Sequence, residues 1–390
     1  MNDELTITKL VRLRRMALLA GLAGLILCAI GAFLNTRQFF FSYLFGYLFW
    51  MGTTLGCFGL VMLHHLVGGR WGFIIRRFLE TGICLLPLMA LLFVPLLFGV
   101  QDLYAWARPK EVAASEILRH QSAFLNWSGF IFRLVLFFGI WFALGFLLNR
   151  WSMQQDQTTD PTPTRKLRIL SGPGLVLHIL VTTFALIDWI MVLEYHWYST
   201  IFPILTIVGH VMTALALAII LLAAFRQQEW LAHVVTPTHL HHLGNLLMAF
   251  MLLWTYMAFS QLLIIYAGNL PHEATWYLHR SQGGWQWVAV FLALFHFAVP
   301  FAFLLRRAIK RKTWSLTTIA VLLFFVHAVN DFWLVAPSLH PKGFYFHWLD
   351  LAAFVGVGGI WLALFFTLLK RKSLWPRNDP RLEFLLAHAH

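Results

Sequence analysis

Charge is what this sequence has least of. Only 12% of its 390 residues are Asp, Glu, Lys or Arg, while 60% are hydrophobic; soluble globular chains run near ~25% charged and ~45–50% apolar. An ordinary soluble domain is thereby excluded. Acidic residues are the scarcer sign, 16 against 29 basic ones, leaving a formal charge of +13. Such an excess would suit a nucleic-acid partner, but the Lys and Arg residues fall in short runs between apolar stretches. That is the positive-inside pattern of a membrane protein, so the expected partner is lipid and not nucleic acid. Cysteine is nearly absent. Cys28, Cys57 and Cys84 lie inside apolar stretches without metal-ligand spacing, so they read as small core residues and not as a metal site. The chain also lacks a Cys-x-x-Cys-His motif or thiolate cluster, so no covalently held redox cofactor is expected.

What is present is apolar length. Runs at 16–34, 40–66, 82–100, 127–148, 169–193, 199–225, 243–266, 285–305, 314–336 and 346–369 are each long enough to span a bilayer. Backbone groups in lipid must pair within their own segment, so each run is expected to be helical. The fold class is therefore an all-α membrane protein of about ten transmembrane helices. The first run follows Lys9, Arg12, Arg14 and Arg15 without a cleavage site, and reads as a retained start-anchor helix. The N-terminus, the even-numbered connections and the C-terminal tail carry 22 of the 29 basic residues. That asymmetry puts both termini on the cytoplasmic side. Two connections are long and outside, 101–126 and 267–284. The polar 149–168 segment inside reads as a flexible linker between halves 1–148 and 169–372, and 373–390 as a solvated tail.

Ionisable residues inside the apolar runs cost at least ~2.5–3.5 kcal/mol each on insertion scales and need a reason. Asp188 lies about five residues, roughly 8 Å, below the outer end of the fifth run. Arg133 in the fourth and Asp331 in the ninth sit at similar depth, making Arg133 a candidate partner for either acid. A static ion pair clamping helices is the simplest role for such a pair. His210, His296 and His327 fall near mid-helix, and His178 nearer the inner face, which His64, His65 and His242 mark. His327 and Asp331 are four apart and share a helix face, and His347 precedes Asp350 by three. Any single buried His is commonly a satisfied interhelical hydrogen bond. Protonatable groups at every depth, however, are what a proton relay requires. Asp188, His196, His210, His296, His327 and Asp331, with Arg133, are the candidate network. His196 and His210 have the fourteen-residue spacing of dihaem b-type ligands, but no second helix shows a matching pair and His196 sits at a helix mouth. The outer connections mix aromatic and polar residues. His196, Trp197, Tyr198, Trp276, Tyr277 and Arg280 form a candidate quinone- or partner-facing surface, although Trp and Tyr also belong to ordinary interfacial belts.

The segment from Leu186 to Phe202, containing Asp188-Trp189 and Glu194-Tyr195-His196-Trp197-Tyr198, resembles a signature of the NrfD-like membrane subunits of alternative complex III. Further similarity lies in His241-His242-Leu243-Gly244-Asn245, in Trp254-Thr255-Tyr256 with Gln261, and in Asn269-Leu270-Pro271-His272-Glu273 continuing to Arg280. His64-His65-Leu66-Val67-Gly68-Gly69-Arg70-Trp71 resembles the end of the family's second helix. The resemblance is closest over 180–285. It implies two four-helix bundles flanked by two outer helices, within a quinol:cytochrome c oxidoreductase of the bacterial cytoplasmic membrane. It further implies a companion NrfD-like subunit, a periplasmic iron–sulfur subunit and c-type haem subunits as partners, with quinol or quinone as the small molecule. The chain departs from the family pattern at His242 and Asn245, where an acid and a Lys are usual, and at Glu194-Tyr195, where Asp-Pro is usual. On this resemblance the chain is a non-autonomous subunit without a redox centre of its own, supplying proton-conducting residues and scaffold. The rival expectations are a proton-coupled secondary transporter, which would show broken helices at matching positions of two halves, and a purely structural assembly subunit.

Overall fold

The computed structural model describes residues 2–226, 234–371 and 378–380, and among these every regular element is helical. Twelve helices carry the architecture: α1 Asn2–Leu34, α2 Thr36–Val67, α3 Arg70–Ile83, α4 Leu86–Phe98, α5 Trp127–Gln155, α6 Thr162–Trp189, α7 Ile201–Phe225, α8 Pro237–Gly268, α9 Pro271–Arg280, α10 Trp285–Leu304, α11 Thr313–Leu339 and α12 Trp348–Leu369. Nine described helices are individually long and apolar enough to cross a membrane. The α3–α4 pair, bent by 42°, supplies a tenth, broken span. The sequence reading starts that span at 82; the structure starts it at Arg70, because three charged residues on α3 pair with one another instead of ending the helix. Pro87 accounts for the break. It cannot donate to the Ile83 carbonyl and its ring clashes there, so α3 stops at Ile83 and α4 resumes at Leu86.

The helices pack as two groups of four. α2, the broken α3–α4 span, α5 and α6 close one ring, and α7, α8, α10 and α11 close the other. α2 joins them by packing on α7 and α11, and it is buried along its membrane-spanning length. α1 and α12 pair on the flank against α2. That pair is held by small residues. A Cβ on Gly24 would lie 2.6 Å from the Gly356 Cα, and one on Gly359 would lie 2.4 Å from the Gly21 Cα. Without a hydrophobic driving force between helices in lipid, such backbone approach is what gives dispersion its grip.

Side chains close the helix ends. Asn35 accepts from the Gln38 N–H, Asn126 from the Gly129 N–H, and Thr236 and His239 cap each other reciprocally at α8. His347 and Asp350, three apart in sequence, form the same reciprocal box at α12.

The linker expectation fails over 149–168. α5 runs on to Gln155 and α6 begins at Thr162, leaving a six-residue turn. Gln155 ties it by donating to the Thr158, Asp160 and Asn378 carbonyls and accepting from Thr164. The polar run that reads as solvated is consumed in capping, and it lies within the first bundle, so the two groups of four meet at α6–α7 instead. Of the expected tail, only 378–380 are described. There Asp379 is buried and pairs with Arg76 at 2.8 Å, so this part of it is docked.

Candidate functional site

The second bundle brings four of the candidate residues together. His327 on α11 directs Nδ1 at His296 Nε2 on α10, 3.3 Å away, and its Nε2 lies 3.5 Å from the Asp331 carboxylate one turn along. All three side chains are buried. His210 on α7 is buried next to Gly209, the residue against which the His327 ring packs, and no hydrogen bond joins it to His327 or to His178 on α6 among the described residues. The polar side chains in contact thus join α10 and α11, with His210 beside them on α7. Small residues permit the approach. A Cβ on Gly209 would stand 2.3 Å from the His327 ring, and one on Gly52 would stand 2.3 Å from the His210 ring. The Nδ1 atoms of His178, His210 and His296, the Nε2 atom of His327 and one Asp331 oxygen have no hydrogen-bond partner among the described residues.

Local backbone geometry sets His296 in place. Residues Ala293–Ala298 form a π-turn, in which the Val299 N–H bonds the Leu294 carbonyl five residues back. Pro300 follows and cannot serve the His296 carbonyl. The widened turn, a device common at functional sites, rolls His296 inward against Trp254 at 4.0 Å between ring centroids.

Directly outward of Trp254 lies a cavity of about 1320 Å³. The inner half of α10 packs on α8, whereas its outer half, Trp285–Leu292, packs chiefly against α11 and α9. The space between α8 and that outer half is the cavity, and α9 roofs it with Trp276, Tyr277 and Arg280. Arg280 is buried and heavily engaged. It donates to Glu194 at 2.5 Å and to the Trp333 and Leu334 carbonyls at 3.2 and 3.0 Å, and stacks 3.9 Å from Trp276. The Trp333 carbonyl is free for this because Pro337, four residues on, has no N–H to offer it. His279 adds a contact to the other Glu194 oxygen at 3.4 Å, and that hydrogen bond raises the His279 pKa above its ordinary value.

The remaining candidates are elsewhere. Arg133 pairs with Asp188 at 2.6 Å and also donates to the Phe124 carbonyl, which clamps α5 to α6 and to the outer connection. Neither reaches the imidazole chain, so the choice between Asp188 and Asp331 falls to Asp188. His196 is exposed, against the expectation that it belongs to a buried network; it sits in a turn, where its ring packs on Tyr195 and not on a helix. Tyr198 is exposed as well. Trp197 is buried and stacks on Trp276 at 5.0 Å, supporting the cavity roof without lining it. His242 and Asn245 are both exposed at the basic face.

Two features escape sequence reasoning. One is a buried network at the basic end of the first bundle, in which Arg76 and Arg77 both pair with Glu80, Arg76 with Asp379, and Arg77 with Asp156. The i,i+3 and i,i+4 spacings of Arg77 and Arg76 to Glu80 were its available signal. The other is the burial of Gln261 on α8, whose carbonyl oxygen has no partner among the described residues.

Fold and site define a multi-pass helical membrane protein with a buried imidazole–carboxylate chain beside a lipid-level cavity. Neither a protein-family model nor a curated protein sequence matches this chain.

Proposed function

We propose that this chain is a membrane subunit of a quinol-oxidising respiratory complex of the alternative complex III type, seated in the bacterial cytoplasmic membrane with its basic face inside. Its role is to conduct protons. The observation that carries the reading is the hydrogen bond between His327 Nδ1 and His296 Nε2, with the Asp331 carboxylate 3.5 Å from the other His327 nitrogen and one small side-chain adjustment from bonding it. An imidazole so placed is a relay. A proton passed from Asp331 to Nε2 releases one from Nδ1 to His296, and ring tautomerisation resets the group. His210 and His178, both buried, are the further imidazoles that bridging water would have to join to it. Electron acceptors belong to partner subunits, an iron–sulfur protein and c-type haem proteins, with a companion NrfD-like subunit alongside. Quinol reaches the outer aromatic surface from the lipid, where Trp276, Tyr277 and Arg280 meet the cavity.

The transporter alternative calls for helices broken at matching positions in both bundles. Here the broken α3–α4 span occupies the second place in its bundle, and α8 in the second place of the other runs unbroken over Pro237–Gly268.

The test is Asp331→Asn and, separately, His327→Gln in the assembled complex, reconstituted in vesicles with proton movement followed during quinol oxidation. Both variants should assemble with their partners and lose proton coupling at least severalfold. Intact assembly with unchanged coupling would leave only the scaffold role.

A further inference from the structure

We infer that the ends of α8 and α10 at the basic face form a binding site for the phosphate head of an acidic phospholipid, centred on Lys310. The inference requires that face to meet a bilayer surface, but neither the relay nor a partner subunit.

Lys310 lies in the connection between α10 and α11, where Arg307–Arg311 makes a short helical turn. Its stem is laid on α8. A Cβ on Gly244 would stand 2.8 Å from the Lys310 Cγ and 3.0 Å from its Cδ. The residue is 6% exposed, and its ammonium has no ion pair or hydrogen bond among the described residues. Unlike the sealed polar atoms of the core, that ammonium keeps contact with the outside. Withdrawing a cation this far from water without a counter-charge is unfavourable, so the position calls for an anion that arrives from the surface. Arg307 lies three residues before Lys310 and four before Arg311, so the three cations share one face of the turn. Both arginines are exposed, and neither side chain has an ionic or hydrogen-bonded partner among the described residues. On α8, Gly244 shares its face with His241 three residues earlier, which adds an imidazole, 3.5 Å from the Asn245 amide, beside the same place.

No acid competes for these cations among the described residues. Residues 234–268 and 285–330, which hold α8, α10 and the turn, contain no Asp or Glu. At the basic end of the first bundle, Glu80, Asp156 and Asp379 are engaged by Arg76 and Arg77. The flanks decide between a lipid and a free anion. Phe303 and Leu305 before the cations and Trp314 after them are exposed. A small phosphate ion would leave that apolar surface bare, whereas the acyl chains of a phospholipid would cover it. A basic pocket between transmembrane helices is a recurrent seat for acidic phospholipid heads. Lys370 and Arg371, by contrast, are exposed in the way of an ordinary interfacial run.

The experiment titrates the full chain in detergent with phosphatidylglycerol and, separately, with phosphatidylcholine of the same acyl chains, counting bound lipids by native mass spectrometry. One phosphatidylglycerol should be retained about tenfold more tightly than phosphatidylcholine, as two or more cations acting on one phosphate allow. Lys310→Gln should weaken it about tenfold, the loss of one charge-assisted hydrogen bond. Lys310→Arg keeps the charge and should retain binding, which separates loss of the head contact from loss of the fold. Gly244→Ala leaves the net charge unchanged but lifts Lys310 from α8, and should weaken binding severalfold. Lys370→Gln, in the exposed run, should stay within about twofold. Inorganic phosphate at millimolar concentration should not displace the lipid. The inference is overturned if the two lipids bind alike, or if Lys310→Gln and Gly244→Ala both bind like the parent. It is equally overturned if Lys370→Gln weakens binding as much as Lys310→Gln, the mark of undirected charge, or if inorganic phosphate displaces the lipid, the mark of a free-anion site.

Discussion

The firmest energetic prediction concerns the Arg280–Glu194 pair, which fixes the cavity roof to the turn after α6 and to the Pro337 step of α11. The guanidinium is 1% exposed and the carboxylate 12%. Removing one partner of a buried pair costs about 3–5 kcal/mol, because the other charge is left unmatched. Arg280→Met adds the Trp333 carbonyl, freed by Pro337 and otherwise unserved, at about 1–3 kcal/mol more. Against a total folding stability of about 5–15 kcal/mol, that loss is large enough to lower the melting temperature in detergent by many degrees. Arg280→Lys keeps a charge but cannot reach Glu194 and two carbonyls from one planar fork, so it should fall between. Glu194→Gln strands the guanidinium and should cost nearly as much as Arg280→Met. The double variant should cost clearly less than the sum of the two, with a coupling of a few kcal/mol in a double-mutant cycle read by chemical or thermal unfolding. A cost below about 1 kcal/mol for Arg280→Met, or additive single effects, would show that the pair is not buried as described.

Other outcomes follow from the same geometry. Gly359→Leu, whose Cβ alone would lie 2.4 Å from the Gly21 backbone, should part α1 from α12 and expose α1 to limited proteolysis, while the α7–α11 contacts survive in disulfide cross-linking. Arg133→Met should destabilise by about 3–5 kcal/mol, and Arg133→Met with Asp188→Leu by less, as expected when an unmatched buried charge and not a lost contact dominates. The His279–Glu194 contact should make the roof pH-dependent. The His279 pKa is raised, so its contribution is full below about pH 6.5, the ordinary imidazole value. It is then lost as pH rises through the folded-state value; being half-exposed, it is a small term. Hydrogen-exchange protection in α9, taken relative to the base-catalysed intrinsic rate, should therefore fall slightly toward alkaline pH, and His279→Gln should abolish that fall.

How much of this was legible in the sequence divides along one physical line. The spans themselves were, because a bilayer demands a length and a composition that any window of residues displays. So was the His327–Asp331 face, since helical spacing is local. Arg133 and Asp188 could be matched by depth but not chosen against Asp331, because depth says nothing of azimuth. The start of α3 was misplaced for the reason that charge repels a helix from lipid but not from other charges. Arg76, Arg77 and Glu80 satisfy one another, and their last partner, Asp379, lies some three hundred residues away. Gln155 shows the converse. Its neighbours look like solvated linker, yet its single amide holds six residues of turn, and only coordinates reveal which carbonyls it serves. The cavity was invisible for the same reason, being defined by where α10 leaves α8.

The π-turn in α10 has a consequence for insertions and deletions. A helix advances 100° per residue, so the one extra residue accommodated within Ala293–Ala298 offsets the azimuth of everything on one side of it relative to the other. Shortening this stretch by one residue would restore a regular helix with both halves in place, whereas rewinding it at the same residue count would swing one half of α10 by more than a quarter of a revolution. His296 would then part from His327, or the outer half of α10 would close the space beside α8. The winding here, more than residue identity, sets whether the two coexist.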